Sequence, residues 1–255
     1  MLFRSQQKDL RNSHFLPAGV FKALLQPAAK NPHPGFMSPT KTIETSRQMK
    51  DYVLCGDCEQ RFSAKGERWV LRNMAREGGF PLQENLLTAT PIRRAPGLTT
   101  FAAGLIPNID VDALEYFALS VFWRAAAHNW APVHGDKYER LQFGPYQEEI
   151  RKFLLGCAFP DNVMTMISVF PRIDFLRITT PPAPGEKRHG EGTPYSFLIP
   201  GIQFTMVLGK QMSSETRAFD SHAAPERKIV MSLGVAQQAD MLRAQLLAKQ
   251  KEIKP

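Results

Sequence analysis

The chain has 255 residues, 43% of them hydrophobic and 22% charged, and its 32 Lys and Arg against 24 Asp and Glu give a formal net charge of +8. That is enough to bury a real core, and the positive balance suits a polyanion such as nucleic acid. No apolar run approaches the roughly 20 residues that span a bilayer, residues 1–11 have no apolar signal core, and three cysteines cannot build a disulfide framework; the expectation is a cytoplasmic protein with no membrane association.

Read in chain order, Val20, Phe21, Leu24 and Leu25 recur at helical spacing and stop near Pro27. Residues 27–42, with four prolines beside Gly, Asn and Ser, read as a loop. Residues 45–52 form a short helical or extended approach to Cys55-Gly-Asp-Cys58. A helix is expected from Cys58 to about Arg76, with Phe62, Trp69, Val70, Leu71 and Met74 as its apolar stripe. Gly66 weakens its middle by about 1 kcal/mol relative to Ala. Residues 77–110, rich in Gly, Pro and Thr, read as irregular connection.

The clearest helix opens at Asp110 and runs toward Trp130, with Leu114, Phe117, Ala118, Val121, Phe122 and Ala125 at helical spacing. A second follows Gly144-Pro145, from Gln147 to Cys157, with Ile150, Phe153 and Leu154 inward and Cys157 as a small buried hydrophobe. Strands are expected at 163–170 and 173–179, joined at Pro171-Arg172, and at 195–199 and 202–208, turning at Pro200-Gly201. Residues 181–192 between the pairs read as a mobile loop, 228–232 as a further short strand, and 236–253 as a helical tail. The fold class is α+β.

Cys55 and Cys58 carry the chemistry. Two thiolates at this spacing fill two of four positions on a tetrahedral zinc. A thiol redox site wants a βαβ pattern around the motif, which the surroundings do not show. Arg124 and His128, four apart on the long helix, share a face and with Glu115 could line a phosphate-gripping cleft; the alternative is a solvated helix end. His189, beside Lys187-Arg188, is a candidate backbone contact or a solvated loop residue. Trp69, Trp123 and Trp130 have aliphatic neighbours and read as core. No Walker loop, dinucleotide glycine pattern, nucleophile elbow or His-Glu-x-x-His is present.

Ser13-His14-Phe15-Leu16-Pro17 followed by Leu54-Cys55-Gly-Asp-Cys58-Glu59 resembles the order of elements in HNH-type endonucleases of the treble-clef, ββα-metal class. The resemblance covers about residues 1–75; over the full length the chain is loosely similar to bacterial proteins with Ser-His-x-x-Pro and Cys-x-x-Cys-Glu segments. It implies a treble-clef-like unit at 1–77, a helical and antiparallel β domain at 78–255, and metal-dependent hydrolysis of DNA. His14 would be the general base, Cys55 and Cys58 structural zinc ligands, and Glu59 a ligand to catalytic Mg²⁺ or Mn²⁺, with Asp51 as a further ligand. Ser13 stands where the family carries an acidic or histidine ligand, and its first Cys-x-x-Cys has no counterpart, the chain beginning about where that knuckle would lie. The competing expectation is a non-catalytic, zinc-finger-like protein that binds nucleic acid or protein on a degenerate site.

Overall fold

A computed structural model describes residues 9–25, 33–37, 42–130, 138–170, 178–187 and 191–233. The elements are β1 (Leu10–His14), α1 (Ala18–Leu24), β2 (Gly35–Met37), β3 (Thr42–Glu44), β4 (Lys50–Cys55) and α2 (Gly56–Phe62), which runs through a π-turn (Ser63–Glu67) into α3 (Arg68–Asn73). After these come α4 (Pro81–Leu87), β5 (Arg93–Ala95), β6 (Leu98–Ala102), a 3₁₀ turn (Ala103–Leu105), α5 (Val111–Ala127) and α6 (Tyr146–Leu155). The chain continues with β7 (Val163–Val169), β8 (Ile178–Pro184), β9 (Thr193–Ile199), β10 (Ile202–Leu208), α7 (Ser214–Arg217) and β11 (Lys228–Ser232). The fold is α+β.

Two sheets share these strands. β1 and β4 form an antiparallel pair, and the other nine order as β3-β2-β8-β9-β10-β7-β11-β6-β5. Most neighbours are antiparallel; β2 with β8 and β11 with β7 are parallel. No helix among the described residues is long and apolar enough to cross a membrane.

α5 organises the packing. Asp110 caps it, its Oδ1 accepting the Ala113 N–H at 2.8 Å, which satisfies one of the unpaired donors of the first turn. Its apolar residues are not confined to one stripe, and every residue from Ala113 to Ala127 is buried. A helix apolar all round needs partners on more than one side. One face meets the large sheet, Phe117 lying 5.4 Å from the Phe204 ring and Phe122 5.0 Å from Phe197. Another meets α2, Phe62 sitting edge-on to Tyr116 at 6.1 Å and Trp123 at 6.3 Å. Each fully buried Phe contributes about 1.5–3 kcal/mol relative to exposure.

One hydrophobic cluster runs from Phe15 to Ile229 and includes residues on both sides of position 77. Several expectations are corrected here. Gly35–Met37, read as loop, is a strand that pairs in parallel with Ile178 and Thr179 far along the chain. Residues 77–110 contain α4, β5 and β6. β7 pairs with β10 and β8 with β9, so 163–170 and β8 are not a hairpin. Pro181–Pro184, read as loop, belongs to β8, whose register with β9 jumps between Thr180 and Ala183; the irregularity accommodates residues that cannot donate to a ladder. Residues 173–177 and the helix expected at 236–253 lie outside the described residues. The helix at 110, the hairpin of 195–199 with 202–208 turning at Pro200-Gly201, whose first strand begins two residues earlier at Thr193, and the strand at 228–232 are present as expected.

Candidate functional site

β1 and β4 pair from Leu10 opposite Cys55 to His14 opposite Lys50, and the chain leaves β4 at Cys55 directly into α2. The pair therefore holds His14, opposite Lys50, and Cys55, opposite Leu10, at its two ends, while Glu59 on α2 comes near enough to His14 to act on its charge. The register slips between Arg11 and Asn12, leaving Val53 as an extra residue on β4. Ser13, 1% exposed, fills that bulge: its Oγ donates to Arg11 O at 3.1 Å and accepts the Leu54 N–H at 3.2 Å. Ser13 thus has a structural role here.

His14 follows at the strand exit, half-buried, and its ring has no hydrogen-bond partner among the described residues. Burial, then the Lys50 ammonium, then Arg124 hold its pKa below the ordinary 6.5, with Glu59 and Glu67 pulling the other way. The ring is therefore neutral at neutral pH, the state a proton acceptor needs.

Cys55 is the N-cap of α2 and partly exposed, whereas Cys58 is buried. Their sulfurs lie 3.3 Å apart and are not joined as a disulfide. Burial raises the Cys55 thiol, but the Cys58 N–H, a hydrogen bond with the Cys58 thiol and the Asp57 N–H outweigh it, leaving the pKa below 9.0. Amides aimed at a sulfur favour thiolate, the form that ligates metal. The pair fits two positions of a zinc tetrahedron. Among the described residues no group of three or more His, Cys, Asp or Glu side chains converges to complete one. Glu59, one residue beyond Cys58 and partly exposed, fits a looser role. Magnesium is commonly held by one or two carboxylates together with waters and substrate phosphates.

The remaining expected residues are placed differently. Asp51 Oδ2 pairs with His128 Nε2 at 2.8 Å, and its Oδ1 accepts the Tyr52 N–H at 2.8 Å. The His128 hydrogen bond, then the Tyr52 amide, draw the Asp51 carboxyl below its usual value. Arg124 is 3% exposed, so it does not face a solvated cleft. Its Nη2 pairs with Glu67 at 2.5 Å, Nη1 donates to Phe15 O at 3.2 Å, and the guanidinium lies 4.9 Å from the Phe62 ring centroid. It ties the residue after His14 to the central helix. Glu115 joins neither Arg124 nor His128: at the other end of α5 it is buried among Thr165, Ser221, His222 and Arg227. Cys157 is exposed, because α6 ends at Leu155 and a left-handed Gly156 follows it. His189 lies outside the described residues. Trp123 and Trp130 are core, as expected.

Sequence reasoning missed Glu67 and the Glu115–His222–Arg227 group. Glu67 stands inside an apolar helical stripe and Glu115 inside another. A lone carboxylate there signals a buried partner, but the partners are 57 and over 100 residues away.

These features define an α+β chain whose strand–strand–helix unit carries a histidine with a nearby carboxylate at one end of the strand pair and a Cys-x-x-Cys at the other. No protein-family model matches the chain, and comparison with curated proteins and with solved structures gives no match either.

Proposed function

We propose that the β1–β4–α2 unit forms an HNH-like, metal-dependent endonuclease site that hydrolyses DNA phosphodiester bonds. The observation that carries this reading is His14: a neutral imidazole at the strand exit, its ring free of hydrogen bonds among the described residues, with Glu59 near enough to act on its charge. In the reaction the unprotonated ring nitrogen of His14 takes a proton from the water that attacks phosphorus. Lys50, opposite His14 and exposed, offers positive charge to the flanking phosphates, as does the net charge of +8. Arg124 and Glu67 act at one remove, by fixing Phe15 and with it the backbone of His14. Mg²⁺ or Mn²⁺ held by Glu59 would supply Lewis-acid charge at the phosphoryl group. Cys55 and Cys58 would hold a structural zinc where β4 enters α2.

A second reading, a non-catalytic nucleic-acid-binding protein on the same scaffold, is favoured by one pair of observations. Ser13 is engaged in the bulge and Asp51 is paired with His128, so neither supplies a second carboxylate beside His14. The two readings separate in one experiment. Supercoiled plasmid is incubated with the protein in Mg²⁺ or Mn²⁺, with and without chelator, and duplex binding is followed in parallel by gel shift. Chelator-sensitive nicking by the wild type supports the first reading. Salt-sensitive binding with no nicking in either metal supports the second and overturns the first.

A further inference from the structure

The two thiols at the mouth of α2 have a chemistry that needs no third ligand. Cys55 Sγ and Cys58 Sγ lie 3.3 Å apart, and the described residues bring no third His, Cys, Asp or Glu to complete a metal group around them. Closing the pair to a disulfide requires the sulfurs to approach to about 2.05 Å, a movement on the scale of a side-chain rotation. The two sulfurs also differ in access. Cys55 is partly exposed at the end of β4, while Cys58, 3% exposed, faces the core behind it. An outer thiol that an oxidant reaches first, with an inner, buried thiol beside it, is the arrangement of an attacking and a resolving cysteine.

We propose that Cys55 and Cys58 form a reversible intramolecular disulfide by exchange with a low-molecular-weight disulfide of the glutathione type. Cys55 gives its proton to solvent and its thiolate attacks one sulfur of the small disulfide; a Cys55 mixed disulfide forms and one small thiolate leaves. Cys58 then gives up its proton and attacks the Cys55 sulfur, forming the Cys55–Cys58 bond and releasing the second small thiolate. Two protein thiols are oxidised by two electrons, and one small disulfide is reduced to two thiols. The closed pair lacks the thiolates a metal needs, so oxidation and metal binding at this corner exclude one another. Cys157, exposed and on a different element, is an internal control: it forms a mixed disulfide and has no partner placed to resolve it.

The test uses the full-length protein, pre-treated with chelator and equilibrated in glutathione and glutathione-disulfide mixtures of increasing oxidant fraction. Remaining thiols are alkylated and peptides mapped by mass. The expected result is loss of two hydrogens from the peptide spanning Cys55 and Cys58, reversed by a dithiol reductant, with a glutathione adduct on Cys157. Cys58→Ser is expected to trap a glutathione adduct on Cys55, and Cys55→Ser to leave Cys58 unmodified. Alkylation of both cysteines in every mixture, or separate stable adducts on both in the wild type, overturns the proposal. This outcome does not depend on whether His14 supports DNA cleavage, so either proposal can fail while the other stands.

Discussion

Replacing Gly66 by alanine sets two effects of known size against each other. In an exposed helix the change is favourable by about 1 kcal/mol, since Ala lowers the backbone entropy cost that Gly carries. In this structure a Cβ at position 66 would lie 2.8 Å from Phe117 N and 3.0 Å from both Ala113 O and Phe117 Cα. All three atoms are backbone of α5, which is held from the other side by the large sheet, so none can swing away. The π-turn or α5 must retreat by several tenths of an ångström, and overpacking of that kind costs about 1–3 kcal/mol. Rigid backbone on both sides puts the cost toward the upper end, for a net destabilisation of about 2 kcal/mol once the propensity gain is subtracted. For a chain of this size that lowers Tm by about 4–8 °C. Thermal and urea unfolding of wild type and Gly66→Ala measure it, with an unchanged urea slope as the sign that the folded state is otherwise intact. A variant as stable as the wild type, or more so, would refute the close approach of the π-turn to α5.

Three further outcomes follow from polar groups that meet buried partners. Ser13→Ala removes the acceptor of the Leu54 N–H in the bulge and is expected to cost about 1–3 kcal/mol by urea unfolding; no loss would mean that the bulge does not depend on the hydroxyl. Glu67→Ala leaves the Arg124 guanidinium buried without its carboxylate, for an expected loss of about 3–5 kcal/mol. Adding Arg124→Met should restore most of that loss, and simple additivity of the two changes would contradict the pairing. The His222 pKa is raised above 6.5, chiefly by its hydrogen bond to Glu115, so protonation favours the folded state. That contribution is complete below pH 6.5 and is lost as pH rises through the folded value. Unfolding stability measured upward from below that pH should fall in the wild type and lose this component in His222→Gln; identical profiles would exclude it.

What was readable in the sequence was local. The helix at Asp110 combines a capping acid with a long apolar run, and Pro200-Gly201 marks a turn whose Gly201 has φ +78°. The Cys-x-x-Cys sits at a strand-to-helix junction that its own neighbours specify. What was not readable depends on pairing across distance. Gly35–Met37 is a strand because β3 and β8 lie on either side of it, and Pro181–Pro184 is tolerated in a sheet at a register jump. Gly66, read as a weakness in a helix, is required by the backbone of α5. Arg124 looked like a solvent-facing cation near a helix end, but the extra residue of the π-turn presents Glu67 to it across the core. The candidate base, His14, was visible from its motif; its protonation state was not, because Lys50, Arg124, Glu59 and Glu67 come from four separate elements.

The central claim is that His14 is the base and Glu59 the metal-binding carboxylate of a DNA-cleaving site. Its most direct measurement is the initial rate at which a labelled duplex is cut in saturating Mn²⁺ by wild type, His14→Ala and Glu59→Ala, each shown by circular dichroism to be folded. Loss of a positioned general base lowers rates by about 10²–10⁴-fold, and the account predicts a fall of that order in His14→Ala and a marked fall in Glu59→Ala, the latter relieved in part by higher metal concentration. Wild-type cleavage at an undiminished rate in folded His14→Ala would contradict it.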